Sequence, residues 1–196
     1  MNSATQDPAI TTFTGRKFYP LDPNPDDIDI EDIAHGLSMK CWYNGHSLHF
    51  YSVAEHSWLM SSLFENPMLR MAALLHDAAE AYLCDVPSPV KRLPMMAGYC
   101  EAEDRLQSMI YEKFGLQGDK LRLIDQADKY MLHVETASPI VGSRHPDWKP
   151  PEITETFPSL IVSGFRPQII EEAFLRAWKE VEHCALQSSA CTPAAS

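Results

Sequence analysis

The chain of 196 residues carries 16 lysines and arginines against 27 aspartates and glutamates, a formal net charge of −11 at pH 7. So acidic a surface lacks the basic footprint that nucleic acid or an anionic membrane requires, which leaves a small molecule as the expected partner, held by locally gathered cations if it is itself anionic. The length suits one domain with a sizeable core, and the five cysteines, odd in number and without a C-x-x-C pair, read as reduced thiols of a cytoplasmic protein.

The first eight residues lack the charged and apolar regions of a signal peptide, and no apolar run approaches membrane-spanning length. Residues 1–27 read as an irregular arm rich in Pro, Thr and Asp, in which residues 13–20 form either a hairpin or an ordered strap over the core. Asp29 is placed to cap a helix from Ile30, with Ile30, Ile33, Ala34 and Leu37 on one face. A loop over residues 40–46 follows, marked by Asn44-Gly45.

Ser52-Val53-Ala54-Glu55 fits a capping box, so a second helix starts there with Val53, His56, Met60 and Leu63 turned inward. Asn66-Pro67 opens a third helix, which the alanine-rich sequence predicts to continue through His76 and Asp77 until Pro87 and Pro89. An amphipathic helix is expected from about Met95 to Phe114, stopped by Gly115, and another from Leu121 with Asp128 facing the core and Glu135 on the same side. Residues 138–167 read as a Pro-rich excursion, Pro167 opens a last helix, and residues 188–196 read as a disordered tail behind a single domain of residues 1–187.

The chemistry concentrates at His76-Asp77. A carboxylate in an apolar run must be paired, neutralised or bound to metal, and the nearest cations along the chain are Arg70 and Lys91. Glu80 lies three and four residues beyond the pair, on the same helical face. His56, His76, Asp77 and Asp128 then project from three inward faces, a mixed imidazole and carboxylate set that suits Zn, Mn, Fe or Co. Each has a bland alternative: a lone inward histidine is more often a core residue, Asp85 can merely turn the chain before Pro87, and Trp42 can simply pack. Asp125 competes with Asp128, although a pair with Lys129 at i+4 would explain it.

The ordered set Glu55-His56, His76-Asp77 with Glu80 and Asp85, and Gln126-Ala127-Asp128, together with Asp85-Val86-Pro87-Ser88-Pro89-Val90-Lys91, resembles the HD-domain metal phosphohydrolases over about residues 28–136. The likeness is to the small bacterial and phage members, 5′-deoxynucleotidases and a dATP triphosphohydrolase branch. It implies an all-α HD-domain bundle around a buried metal, with His56, His76, Asp77 and Asp128 as ligands of a divalent Zn, Mn, Co or Fe ion and Mg as an additional ion. Glu80 is then the acid/base, Asp85 its partner in the surrounding hydrogen bonds or at a further metal, and Trp42 a neighbour of the nucleoside. Relatives carry an arginine before that tryptophan; here it is Cys41, and His49 likewise stands where many have arginine. Lys40, His49 and Lys91 become the substitute phosphate contacts. The implied reaction is hydrolysis at the 5′-phosphoester of a deoxynucleotide, releasing phosphate from a dNMP or triphosphate from a dNTP, in a homodimer or higher oligomer. A catalytically weak nucleotide-binding or sensor protein of the same fold is the alternative.

Overall fold

In the computed structural model, which describes residues 8–116, 121–142 and 144–190, the hydrophobic core lies where α1 (Ile30–Ser38), α2 (Val53–Ser61) and α3 (Pro67–Leu74) pack under the long α7 (Pro167–Ala190). Ile33, Leu37, Met60, Leu74, Ile170 and Phe174 are fully enclosed there. A short α4 (Ser88–Lys91), α5 (Ala97–Lys113) and α6 (Leu121–Thr136) complete the helices, and Leu106, Ile110 and Met131 extend the core towards them. The described residues are thus mostly helical, and none of their helices is long and apolar enough to cross a membrane.

Local sequence chemistry accounts for the helix starts. The side chains of Asp29, Ser52 and Asn66 accept amide hydrogens of the first turns of α1, α2 and α3, the role each was expected to fill. The choice left open for the arm resolves as a hairpin, β1 (Ile10–Thr11) antiparallel to β2 (Lys17–Phe18), with Ile10 opposite Phe18. Thr14 at its tip donates its amide and hydroxyl to the buried Asp32 carboxylate, at 2.7 and 2.9 Å, and so fastens the hairpin to α1.

Three expectations need correction. The third helix does not continue to Pro87: α3 ends at Leu74, and a 3-10 turn over Ala78–Ala81 follows after a break at Leu75, His76 and Asp77. The break is stabilised by Gln107 of α5, whose amide donates to Leu75 O at 2.7 Å and accepts from Ala79 N at 3.0 Å. The capping box is only half formed. Ser52 accepts from Glu55 N, but the Glu55 carboxylate turns away to the amides of Ser163, Gly164 and Phe165 at 3.1, 2.9 and 2.7 Å. Third, α7 runs to Ala190, three residues into the stretch read as a disordered tail; the remaining residues 191–196 lie outside the described residues.

Glu55 thereby ties the end of the Pro-rich excursion to α2, and the tie depends on Gly164. That residue has φ +69°, and a Cβ there would lie 2.9 Å from Phe50 O. Gly164→Ala is expected to destabilise the protein by about 2 kcal/mol in urea denaturation; an unchanged midpoint would contradict this role.

Candidate metal centre

In a regular helix adjacent side chains diverge by about 100°, so His76 and Asp77 could not serve one centre from inside α3. The break after Leu74 removes that restriction. Leu75 (φ −102°, ψ 4°) and Asp77 (φ −109°, ψ 20°) leave helical geometry, and His76 Nε2 and Asp77 Oδ2 come to lie 2.9 Å apart. His56, on the inward face of α2 and fully buried, brings its Nε2 to 3.1 Å from His76 Nε2 and 4.0 Å from Asp77 Oδ2. Asp128 of α6 stands beside His56, with Oδ1 3.2 Å from His56 Nε2. Of the four residues proposed as ligands, His56, His76 and Asp77 gather into a group able to hold a metal ion, and Asp128 stands beside it against His56.

The hydrogen bonds behind the two rings decide which nitrogen faces inward. His56 Nδ1 lies 2.6 Å from Glu135 Oε1, and His76 Nδ1 lies 2.8 Å from Ala73 O. A backbone carbonyl only accepts, so His76 carries its hydrogen on Nδ1 and turns a lone pair towards the cluster. Asp77 Oδ2 is buried and accepts no hydrogen bond despite the nearby ring. Acceptor atoms gathered this closely repel one another unless positive charge stands among them.

That charge can be a proton or a cation. Burial disfavours a charged His56, yet Glu135 and Asp128 outweigh it and raise the pKa of the ring well above the usual range. Burial likewise pushes the Asp77 carboxyl up, but His76, His56 and Lys91 hold it below its ordinary value. The spacing also fits a metal ion: ligands about 2.1 Å from a shared ion sit roughly 3 Å apart when adjacent and about 4.2 Å when opposite. Two imidazoles and a carboxylate are a donor set that suits a divalent transition ion.

Beside the cluster lies a cavity of about 150 Å³ lined by His76, Asp77, Glu80, Lys91, Glu103 and Gln107 among others. Glu80, on the 3-10 turn, is 5 % exposed and its Oε2 has no hydrogen-bond partner. Burial, reinforced by the charges of Asp77 and Asp85, pushes its pKa up to about 10, so the carboxyl holds a proton at neutral pH. Asp85, in the loop before α4, is raised by burial and by Asp77. Lys91 lies 3.6 Å from Glu80 and 2.7 Å from Glu103, the one expected phosphate contact that lines this cavity.

The other expected substrate contacts are placed differently. Lys40 donates to Ala81 O at 2.8 Å, and burial lowers its pKa. His49 is exposed, its amide bonded to Ile140 O. Trp42 stacks on the His56 ring at 4.3 Å and donates to Glu135. Asp125 pairs with Lys129 at 2.7 Å, as its spacing suggested.

Two residues without an assigned role emerge here, Gln107 and Glu135. Glu135 could have been marked, since it lies two helical turns beyond Asp128 on the same face; nothing local marks Gln107.

No family model matches the chain. An uncharacterized protein of Escherichia coli K12, YfdR, is 44% identical over 126 residues, which span 64% of this chain and 69% of that protein. An uncharacterized Rhodobacter capsulatus protein is 48% identical over 111 residues, 53% of this chain and 56% of its own length.

Proposed function

We propose that this chain, which belongs to the same family as E. coli YfdR, is a metal-dependent phosphohydrolase of the HD-domain kind that cleaves the 5′-phosphoester of deoxynucleotides. The observation that carries the reading is the meeting of His56, His76 and Asp77 at ligand spacing, with Asp128 against His56 and the buried Asp77 Oδ2 left without a hydrogen bond. His56, His76, Asp77 and Asp128 would hold a divalent transition ion. When bound, such an ion acts as a Lewis acid towards a phosphoryl oxygen and lowers the pKa of water.

The chain's own residues supply the rest. In the metal-free protein burial and the neighbouring charges of Asp77 and Asp85 raise the Glu80 pKa, which suits its carboxyl to give a proton to the departing 5′ oxygen. Lys91, steadied by Glu103, offers positive charge at the cavity wall to a phosphate. Gln107 holds the His76-Asp77 break open by bonding the groups on either side of it.

The test is product analysis from dAMP and from dATP with Mn²⁺ or Co²⁺ added. Phosphate from dAMP identifies a monophosphatase, and triphosphate from dATP a triphosphohydrolase; the formation of neither would overturn the hydrolase reading. A second reading, nucleotide binding without turnover, is favoured by the engagement of Lys40 with Ala81 O and by Cys41 in place of arginine. Saturable dATP binding with neither product formed would select it.

A further inference from the structure

Glu135 is fully buried on α6 and accepts four hydrogen bonds, two on each oxygen. Oε1 receives Tyr51 Oη at 2.8 Å and His56 Nδ1 at 2.6 Å; Oε2 receives Trp42 Nε1 at 3.1 Å and Tyr43 Oη at 2.5 Å. An ionised carboxylate offers about four lone-pair sites, so this one is saturated. Its donors come from the 42–45 turn, the strand-like entry to α2, and α2 itself. The turn adopts left-handed backbone at Tyr43 (φ 55°) and Asn44 (φ 53°), uncommon for a residue as bulky as tyrosine. That conformation accompanies delivery of the Tyr43 hydroxyl to Glu135.

We infer that Glu135 is a positioning residue for the cluster: its Oε1 fixes the hydrogen of His56 on Nδ1 and so aims the Nε2 lone pair at the point shared with His76 and Asp77. Core anchoring alone does not call for a carboxylate, since burying one is costly and apolar side chains would hold α2 to α6 as well. A carboxylate behind an imidazole has a particular effect, however. It selects the tautomer, locks the ring plane and strengthens the opposite nitrogen as a donor to a cation. Trp42, stacked on one face of the ring, leaves it little freedom to rotate. Because Asp128 and Glu135 share a face of α6, the same hub also fixes the helix that brings Asp128 to the cluster.

The inference rests on the metal reading for its purpose but not for its test. Co²⁺ affinity is measured by calorimetry on the folded protein, and the hydrogen-bonded Nδ1–H proton of His56 is followed by NMR in metal-free samples. Tyr51→Phe removes one donor and leaves the His56 bond in place. Glu135→Gln removes the charge and sets an amide nitrogen against two of the four donors, and Glu135→Asp retains the charge on an arm one methylene shorter. We expect both Glu135 variants to lose the His56 Nδ1–H resonance and to bind Co²⁺ about 10–100-fold more weakly, while Tyr51→Phe keeps the resonance and stays within about threefold. A purely structural residue would lower the melting temperature in all three without moving affinity or resonance selectively. Retention of both in the Glu135 variant that folds would overturn the inference. If the wild type binds no Co²⁺, the metal reading fails, and the resonance alone still decides the role of Glu135 towards His56.

Discussion

Asp77→Asn is expected to give a folded protein that retains no divalent ion through gel filtration and hydrolyses deoxynucleotide about 10³-fold more slowly than the wild type. Asparagine preserves the volume and the shape of the break after α3, so packing gives no reason for collapse. What it removes is charge at Oδ2, the buried atom with no hydrogen bond and with His76 Nε2 at 2.9 Å. The loss should exceed the 10–100-fold that removal of an outer partner costs. His76→Ala should behave alike, and chelation of the wild type should reproduce both. Elemental analysis beside a turnover assay checks the result; wild-type metal content and rate in both variants would remove the ligand assignment. Acid should act in the same direction, because histidine must be neutral to bind metal and protons compete for His56 and His76 as pH falls. Ion retained well below the imidazole range would contradict that.

What the sequence disclosed was whatever is decided within a few residues. Asp29, Ser52 and Asn66 cap their helices because an N-cap acts on the next two or three amides. The inward faces of α2 and α6 were legible from apolar spacing, which brought His56 and Asp128 into the ligand set. The break at residues 75–77 was not legible, since Leu74, Leu75, Ala78 and Ala79 all favour or tolerate helix and the override comes from Gln107, about thirty residues away. Glu55 fitted its local motif equally well, yet three distant amides took its carboxylate. Lys40 shows the same limit for a charge: its sequence neighbours suggested a phosphate contact, and only the fold reveals the Ala81 carbonyl that engages it. Helical periodicity set the inward face of His56, whereas the convergence of His76 and Asp77 on it depends on the break that the long-range bonds of Gln107 hold.

Glu80→Gln should separate the proton at this site from the fold around it. Glutamine copies the shape of a protonated glutamate but cannot exchange its hydrogens as an acid, so turnover is expected to fall by about 10²–10⁴-fold while substrate still binds. Stability of the metal-free protein should move the other way. Burial and the charges of Asp77 and Asp85 push Glu80 from 4.5 up to about 10, so between those values the folded state keeps a proton that the unfolded chain releases. More protons bound in the folded state means that stability declines as pH rises, with the contribution fully present below about pH 4 and lost on the way to pH 10. Glutamine does not titrate and escapes that decline. The variant should therefore match the wild type near pH 4 and exceed it increasingly above, by about 1–3 kcal/mol at pH 8–9 in urea denaturation. Parallel stability curves from pH 5 to 9 would show that Glu80 ionises normally, and a general acid held ready by burial would then have no basis. A variant that becomes more stable and loses turnover together ties the unfavourable burial of Glu80 to the proton it supplies.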